Sequence, residues 1–323
     1  MGTRVAPAGR LAALALGAAW AVALAGCSSI GDGSGDGERA DGSPGGGDAR
    51  PGGEADAAVP LGPFGEPHLI AALSDPASSD ADPSMTDDAR ELYFSSNRPG
   101  SAGTDIWVSR RDSVDDDWGD PELVGELNSA DAELDPEVSF DGLTICFNST
   151  RAVVGAQGGF DLFISTRTSR DADWEPPDLI PKVNSAESDM GAVMNQAQTT
   201  LVFHRTGTSD LDLYISERET ADDDWGEPMR VGGIDTDAQE ADAWLSADGI
   251  TLYFNSNRTG GSGDSDIYRT TRLTAAPVFT APDELEEINS EFHEANVGLA
   301  LGGRYLIMSS ARSGEQELWE ASR

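Results

Sequence analysis

Lysine is almost missing from this chain of 323 residues: 21 basic residues stand against 58 acidic ones, and Lys182 is the one lysine among them. The resulting net charge of −37 excludes a general nucleic-acid binder, because phosphate contacts need a basic face. It also argues against a body that lies flat on anionic lipid. Cysteine is scarce. Cys27 and Cys146 alone make no disulfide framework, and Cys146 falls in the apolar run Leu143-Thr-Ile-Cys-Phe147, where a packed core thiol is expected. No Gly-x-Ser-x-Gly elbow, His-Glu-x-x-His pair or phosphate loop occurs, so the common hydrolase, zinc-protease and nucleotide chemistries lack their residues. Helical periodicity is absent from every long segment.

The first 26 residues carry the charge, length and position of a secretory signal, with Arg4 and Arg10 ahead of an apolar stretch from Leu11 to Ala25. That stretch is too short for a comfortable spanning helix. Leu24-Ala25-Gly26-Cys27 resembles the lipobox of bacterial lipoproteins, which implies that Cys27 becomes an acylated amino terminus. Several acyl chains on one residue give stable attachment. The expected address is the bacterial cell envelope, with the membrane reached through Cys27 only. Ser28 after the cysteine favours the outer membrane under the sorting rule known for enterobacteria. Residues 27–63 are Gly, Ser, Asp, Ala and Pro with almost no large apolar side chain, and are expected to form a disordered tether. Asp32-Gly-Ser-Gly-Asp36-Gly37 has the look of a calcium loop, but Ser43 stands where its last glutamate belongs.

From Phe64 onward one pattern recurs five times. An aromatic followed three residues later by proline appears as Phe64…Pro67, Trp118…Pro121, Trp174…Pro177, Trp225…Pro228 and Phe279…Pro282, at spacings of 54, 56, 51 and 54 residues. These set repeats at 64–117, 118–173, 174–224, 225–278 and 279–323, and a period of this size means a repeat architecture. Within each repeat, short β-branched and aromatic runs such as Leu92-Tyr-Phe94 and Ile106-Trp-Val108 alternate with turn formers such as Asp141-Gly142. Four short strands per repeat predict an all-β, five-bladed β-propeller of four-stranded antiparallel blades. The strand near His68-Leu-Ile-Ala71 is predicted to complete the last blade and close the ring.

Ser95-Ser-Asn-Arg-Pro-Gly…Asp105-Ile-Trp, Asn255-Ser-Asn-Arg-Thr-Gly-Gly…Asp266-Ile-Tyr and Asp135-Pro-Glu-Val-Ser-Phe-Asp-Gly142 resemble the WD40-like repeats of TolB-type propellers. The resemblance covers all five repeats. It implies a secreted, often lipid-anchored protein that acts as an interaction platform for an envelope protein or cell-wall component.

Two repeated polar sets are candidate site residues. Arg98, Arg151, Arg205, Arg258 and Arg312 each precede an acid, Asp105, Asp161, Asp212, Asp266 and Glu317, and an ion pair between them would hold a hairpin loop closed. Recurrence in every blade marks that pair as structural. The second set is Asp80, Glu133, Asp189, Glu240 and Glu294, with Asp82, Asp135, Gly191, Asp242 and Asn296 two residues on. Innermost strands line a propeller's channel, so these acids are expected to converge near one mouth. There they form either a solvated rim or the ligands of a hard cation such as Ca²⁺. His204 replaces the serine or asparagine that follows the aromatic in most copies, which makes it a candidate for a private role. Carboxylates in the central funnel of five-bladed propellers also serve glycoside hydrolases, the alternative to a non-catalytic binder.

Overall fold

The computed structural model describes residues 61–323 apart from 76, 208, 209 and 275. Cys27, the signal segment and most of the expected tether lie outside the described residues. The described chain is all-β, without a helix, and forms five four-stranded antiparallel sheets arranged as the blades of a propeller. Blade 1 runs outward through Asp80–Met85, Glu91–Ser96, Asp105–Arg110 and Glu122–Leu123. The inner strands of blades 2 to 5 are Glu133–Val138, Asp189–Met194, Glu240–Leu245 and Glu294–Ala300. Every outermost strand follows an aromatic-Pro signal, so each sequence repeat lends its first strand to the blade before it. At the ring's closure this offset brings His68–Leu69 against Glu317–Ser322, pairing His68 with Glu320.

No single centre holds the core. Five apolar clusters form, one at each junction between neighbouring blades. Phe94, Phe147, Phe203 and Phe254 occupy the same place in four blades and are fully buried. Burying each contributes roughly 2–3 kcal/mol. Cys146 lies in the junction between blades 2 and 3, and burial pushes its thiol pKa up to about 12, as expected of a packing residue.

The aromatic of each signal has a partner that the spacing also encodes. Seven residues before Trp118, Trp174, Trp225 and Phe279 stand Arg111, Arg167, Arg218 and Arg272, whose guanidinium carbons lie 4.0, 4.4, 4.1 and 5.5 Å from the ring centroids. The Nε–H of each donates to a backbone carbonyl in the inner hairpin turn of its own blade: Ala89, Gly142, Gln198 and Gly249. The fifth clamp joins the two ends of the propeller, with Arg323 lying 4.0 Å over Phe64 and donating to Gly303 O. Phe64→Ala removes both this stacking and a buried ring, and should lower unfolding stability by about 3 kcal/mol in urea titration.

Candidate functional site

All five inner-strand strands carry a β-bulge at the same place, where the register shifts between Ala81 and Ser84 in blade 1 and at the equivalent steps elsewhere. The residue in the bulge has positive φ: Asp82 (54°), Asp135 (50°), Gly191 (61°), Asp242 (48°) and Asn296 (48°). Gly, Asn and Asp tolerate this left-handed conformation best, which accounts for the residue types along the row.

The bulge also decides which acids meet. Asp80, Glu133, Asp189, Glu240 and Glu294 do not converge on the channel; each is at most 1% exposed and is tied within its own blade. The repeated arginines pair with these acids and not with the acids that follow them in sequence. Arg98–Asp80, Arg151–Glu133, Arg205–Asp189, Arg258–Glu240 and Arg312–Glu294 lie at 2.7, 3.0, 2.6, 3.0 and 3.2 Å. A second Arg98 bond goes to Leu73 O, and Arg151, Arg205, Arg258 and Arg312 reach Leu127 O, Val183 O, Ile234 O and Ile288 O in the same way. Hydroxyl and N–H groups four residues upstream complete the carboxylates, from Ser129, Ser185, Thr236 and Ser290. In blade 1 that sequence position is proline, which has neither donor, and Asp80 Oδ2 is left without a partner.

The downstream acids take a different job. Asp105, Asp161 and Asp266 accept the loop N–H groups of Ala102, Gln157 and Gly263 at 2.8, 2.9 and 3.0 Å. Asp212 meets Arg230 instead. Burial raises the pKa of Asp105, Asp266 and Glu317, and the arginine-paired acid of the next blade (Glu133, Glu294 and Asp80) raises it further. Four oxygens of these sets are buried without a hydrogen-bond partner among the described residues: Asp80 Oδ2, Asp105 Oδ1, Asp212 Oδ1 and Glu317 Oε2. Among the described residues one acidic trio, Asp212, Asp235 and Glu240, has ligand atoms within 4.8 Å of one another. Arg230 already pairs with Asp212 there and sits 3.2 Å from Asp235 Oδ1.

The bulge row is what faces the axis. Asp82, Asp135 and Asp242 come from blades 1, 2 and 4, and only side chains turned to the centre can act on one another across those blades. Asp135 N–H approaches Asp82 Oδ2 at 3.4 Å. Burial, then the charge of Asp242, lifts Asp82 to a pKa of about 6; burial lifts Asp242 likewise to about 6. Asp135 is pushed well above the carboxylate range by burial and by Asp82 and Asp242. Glu137, one layer further in, is raised by burial and by Asp242 and Asp82, and accepts from Ser84 Oγ at 3.0 Å.

His204 enters this layer where blade 3 lacks an acid. A Cβ on Gly191 would lie 2.8 Å from its Nδ1, so the glycine vacates the space that the imidazole fills. Burial depresses the His204 pKa to about 4, and Nδ1 accepts the Asp242 N–H at 3.4 Å. A nitrogen that accepts is unprotonated, so the 3.6 Å approach of Nδ1 to Asp242 Oδ1 is not an ion pair. Asn255 donates to Asp242 Oδ2 at 2.8 Å. His68 and His293 stay exposed.

One mouth of the channel is plugged. Trp244 of blade 4 packs edge-on against Phe140 of blade 2, with centroids 6.1 Å apart, and against Tyr253 at 5.7 Å. Beneath the plug, Glu137, Val193, Met194 and Leu299 leave a void of 20 Å³, room for about one water. The sequence marks Trp244 and Phe140 in one way only: each is the one aromatic in its row of five. A cavity of 660 Å³ lies away from the channel between blades 1 and 2, where Arg110 and Arg170 both approach Glu91 at 3.5 Å.

No family model and no curated protein matches this chain. Solved structures match its fold. A thermostable family-43 glycoside hydrolase aligns with 13% identity and a TM-score of 0.52, over 76% of this chain and 88% of that one. The α-L-arabinofuranosidase from Lactobacillus brevis aligns with 13% identity and a TM-score of 0.52, over 79% and 94%. TolB from Acinetobacter baumannii gives 13% identity and a TM-score of 0.46 over 78% of this chain, which spans 56% of that protein's length. Likeness at this level defines a class by fold alone, the β-propeller.

The channel carboxyls make a signed prediction. A carboxyl whose folded pKa exceeds its unfolded value of 3.8 stabilises most when protonated, and that contribution is lost as pH rises through about 6. Asp82→Asn should therefore stabilise the protein at pH 7.5 by about 1–2 kcal/mol and flatten the pH 5 to 7.5 dependence of the melting midpoint.

Proposed function

We propose that the protein is a lipid-anchored, non-catalytic binding platform of the bacterial cell envelope. Its channel receives a cationic group presented by an envelope protein or cell-wall component. The observation that carries this reading is the uncompensated charge of the bulge row. Every arginine-tied acid has its own guanidinium, whereas neither arginine nor lysine figures among the charges acting on Asp82, Asp135 and Asp242. Burial, and for Asp82 and Asp135 the neighbouring aspartates, raise their pKa values, and the charge of His293 offsets this at Asp242. An ammonium or guanidinium brought by a partner would let them ionise, and the protons released are part of the binding free energy. The signal segment and lipobox supply the address, and the chain lacks the motifs of the common enzymes.

A second reading is favoured by the several carboxyls that share the channel. Asp135, held protonated by burial and by its neighbours, can serve as an acid and Asp242 of blade 4 as the base that glycoside hydrolysis also requires. Release of reducing ends from a glycan, abolished by Asp135→Asn, would establish that reading in place of the first.

For the binding reading, wild-type protein immobilised on beads should retain a partner from envelope extract better at pH 7.5 than at pH 5, and less well as salt increases. The Asp82→Asn, Asp242→Asn double variant should lose that retention about tenfold. Equal retention by both proteins at both pH values would remove the channel from the interaction.

A further inference from the structure

On the far side of the plug the same aromatics floor an open cleft of 320 Å³, at the small end of the roughly 300–1,000 Å³ usual for ligand sites. Its floor is Trp244, Phe140 and Tyr253, and its rim carries Asp87, Asp248 and Arg323. Two rows of the propeller are broken to build it. Where blade 4 has Trp244 the other blades have Ser84, Glu137, Val193 and Gly298, and where blade 2 has Phe140 they have Asp87, Gln196, Ala247 and Leu301. Scaffold residues repeat in this chain; these two do not.

From this geometry we infer that the cleft is a carbohydrate site, for a neutral or amino-sugar glycan. Trp244 and Phe140 are half-buried, so each keeps one side in solvent while the other packs. An aromatic face held this way suits the C–H face of a pyranose, and its edge suits hydroxyls. The polar rim supplies those hydroxyls with partners of both kinds. The indole N–H of Trp244 makes no hydrogen bond among the described residues. Asp87 and Asp248 are exposed acceptors, and Arg323 is a donor held in place by Gly303 O and Phe64. A purely apolar ligand would strand these groups. An acidic polysaccharide would meet a protein of net charge −37, whereas a neutral or amino-bearing one would not be repelled. Close approach is open at the blade 5 turn, where Gly302 and Gly303 both have positive φ, 64° and 80°. The site stands apart from the acidic channel layer, with the plug and the one-water void between them.

The test uses the full chain titrated with chitotetraose, a chitosan oligomer and a polygalacturonate oligomer, read by tryptophan fluorescence and calorimetry. Chitotetraose or the chitosan oligomer should bind and perturb tryptophan emission, and polygalacturonate should not. Trp244→Ala should weaken binding about tenfold, and Phe140→Ala, on an exposed turn and so safer for folding, should weaken it several-fold. Chitotetraose carries no charge for the acidic channel to hold, so its binding separates this cleft from the channel. Binding of polygalacturonate alone, no binding of either amino-sugar probe, or binding insensitive to Phe140→Ala in a folded protein would overturn the inference.

Discussion

One largely buried guanidinium per blade holds this propeller together. In each blade it meets a carboxylate that solvent does not reach, a backbone carbonyl from the segment that crosses in from the neighbouring blade, and at least one aromatic face. A buried ion pair is stabilising only when its remaining donors and acceptors are satisfied, because desolvation of both charges otherwise outweighs their attraction. Here the serine or threonine four residues upstream and the crossing carbonyl meet that condition in blades 2 to 5. The pair thereby ties inner strands to the crossover, and the five apolar junctions can form on a fixed frame.

Once those acids are committed to arginines, the chemistry of the channel passes to the next row. The bulge demands positive φ, so it selects Asp, Asn or Gly for backbone reasons, and it turns three of the selected aspartates toward the axis. Burial, and for Asp82 and Asp135 the charge of the neighbouring aspartates, then holds these carboxyls above their usual range, while the charge of His293 opposes this at Asp242. His204 shows the same economy: Gly191 answers the backbone requirement with no side chain, and the imidazole of the adjoining strand takes the space.

Much of this was legible in the residues. The five aromatic-Pro signals and the short β-branched runs gave the blade count, and the surplus strand near His68 gave the closure, because both depend on local pattern and on the need to pair edges. The Arg111 and Arg167 clamps were equally readable from a constant seven-residue spacing. The ion pairs were not. Sequence nearness suggested Arg98 with Asp105, seven residues on, but the hairpin turns that loop away and the arginine folds back over its own blade to Asp80, eighteen residues earlier. The single aromatics Trp244 and Phe140 carried a signal only as exceptions within their rows, and nothing local indicated that blades 2 and 4 would meet.

The sequence by itself determined the all-β repeat, the number of blades and the acidic, lysine-poor surface, since period, turn chemistry and charge are properties of the chain. The tertiary structure decided which carboxylates are scaffold and which face the channel. A one-residue bulge in an inner strand reverses the direction in which successive side chains point, and the axis brings together residues from blades that no spacing in the chain relates.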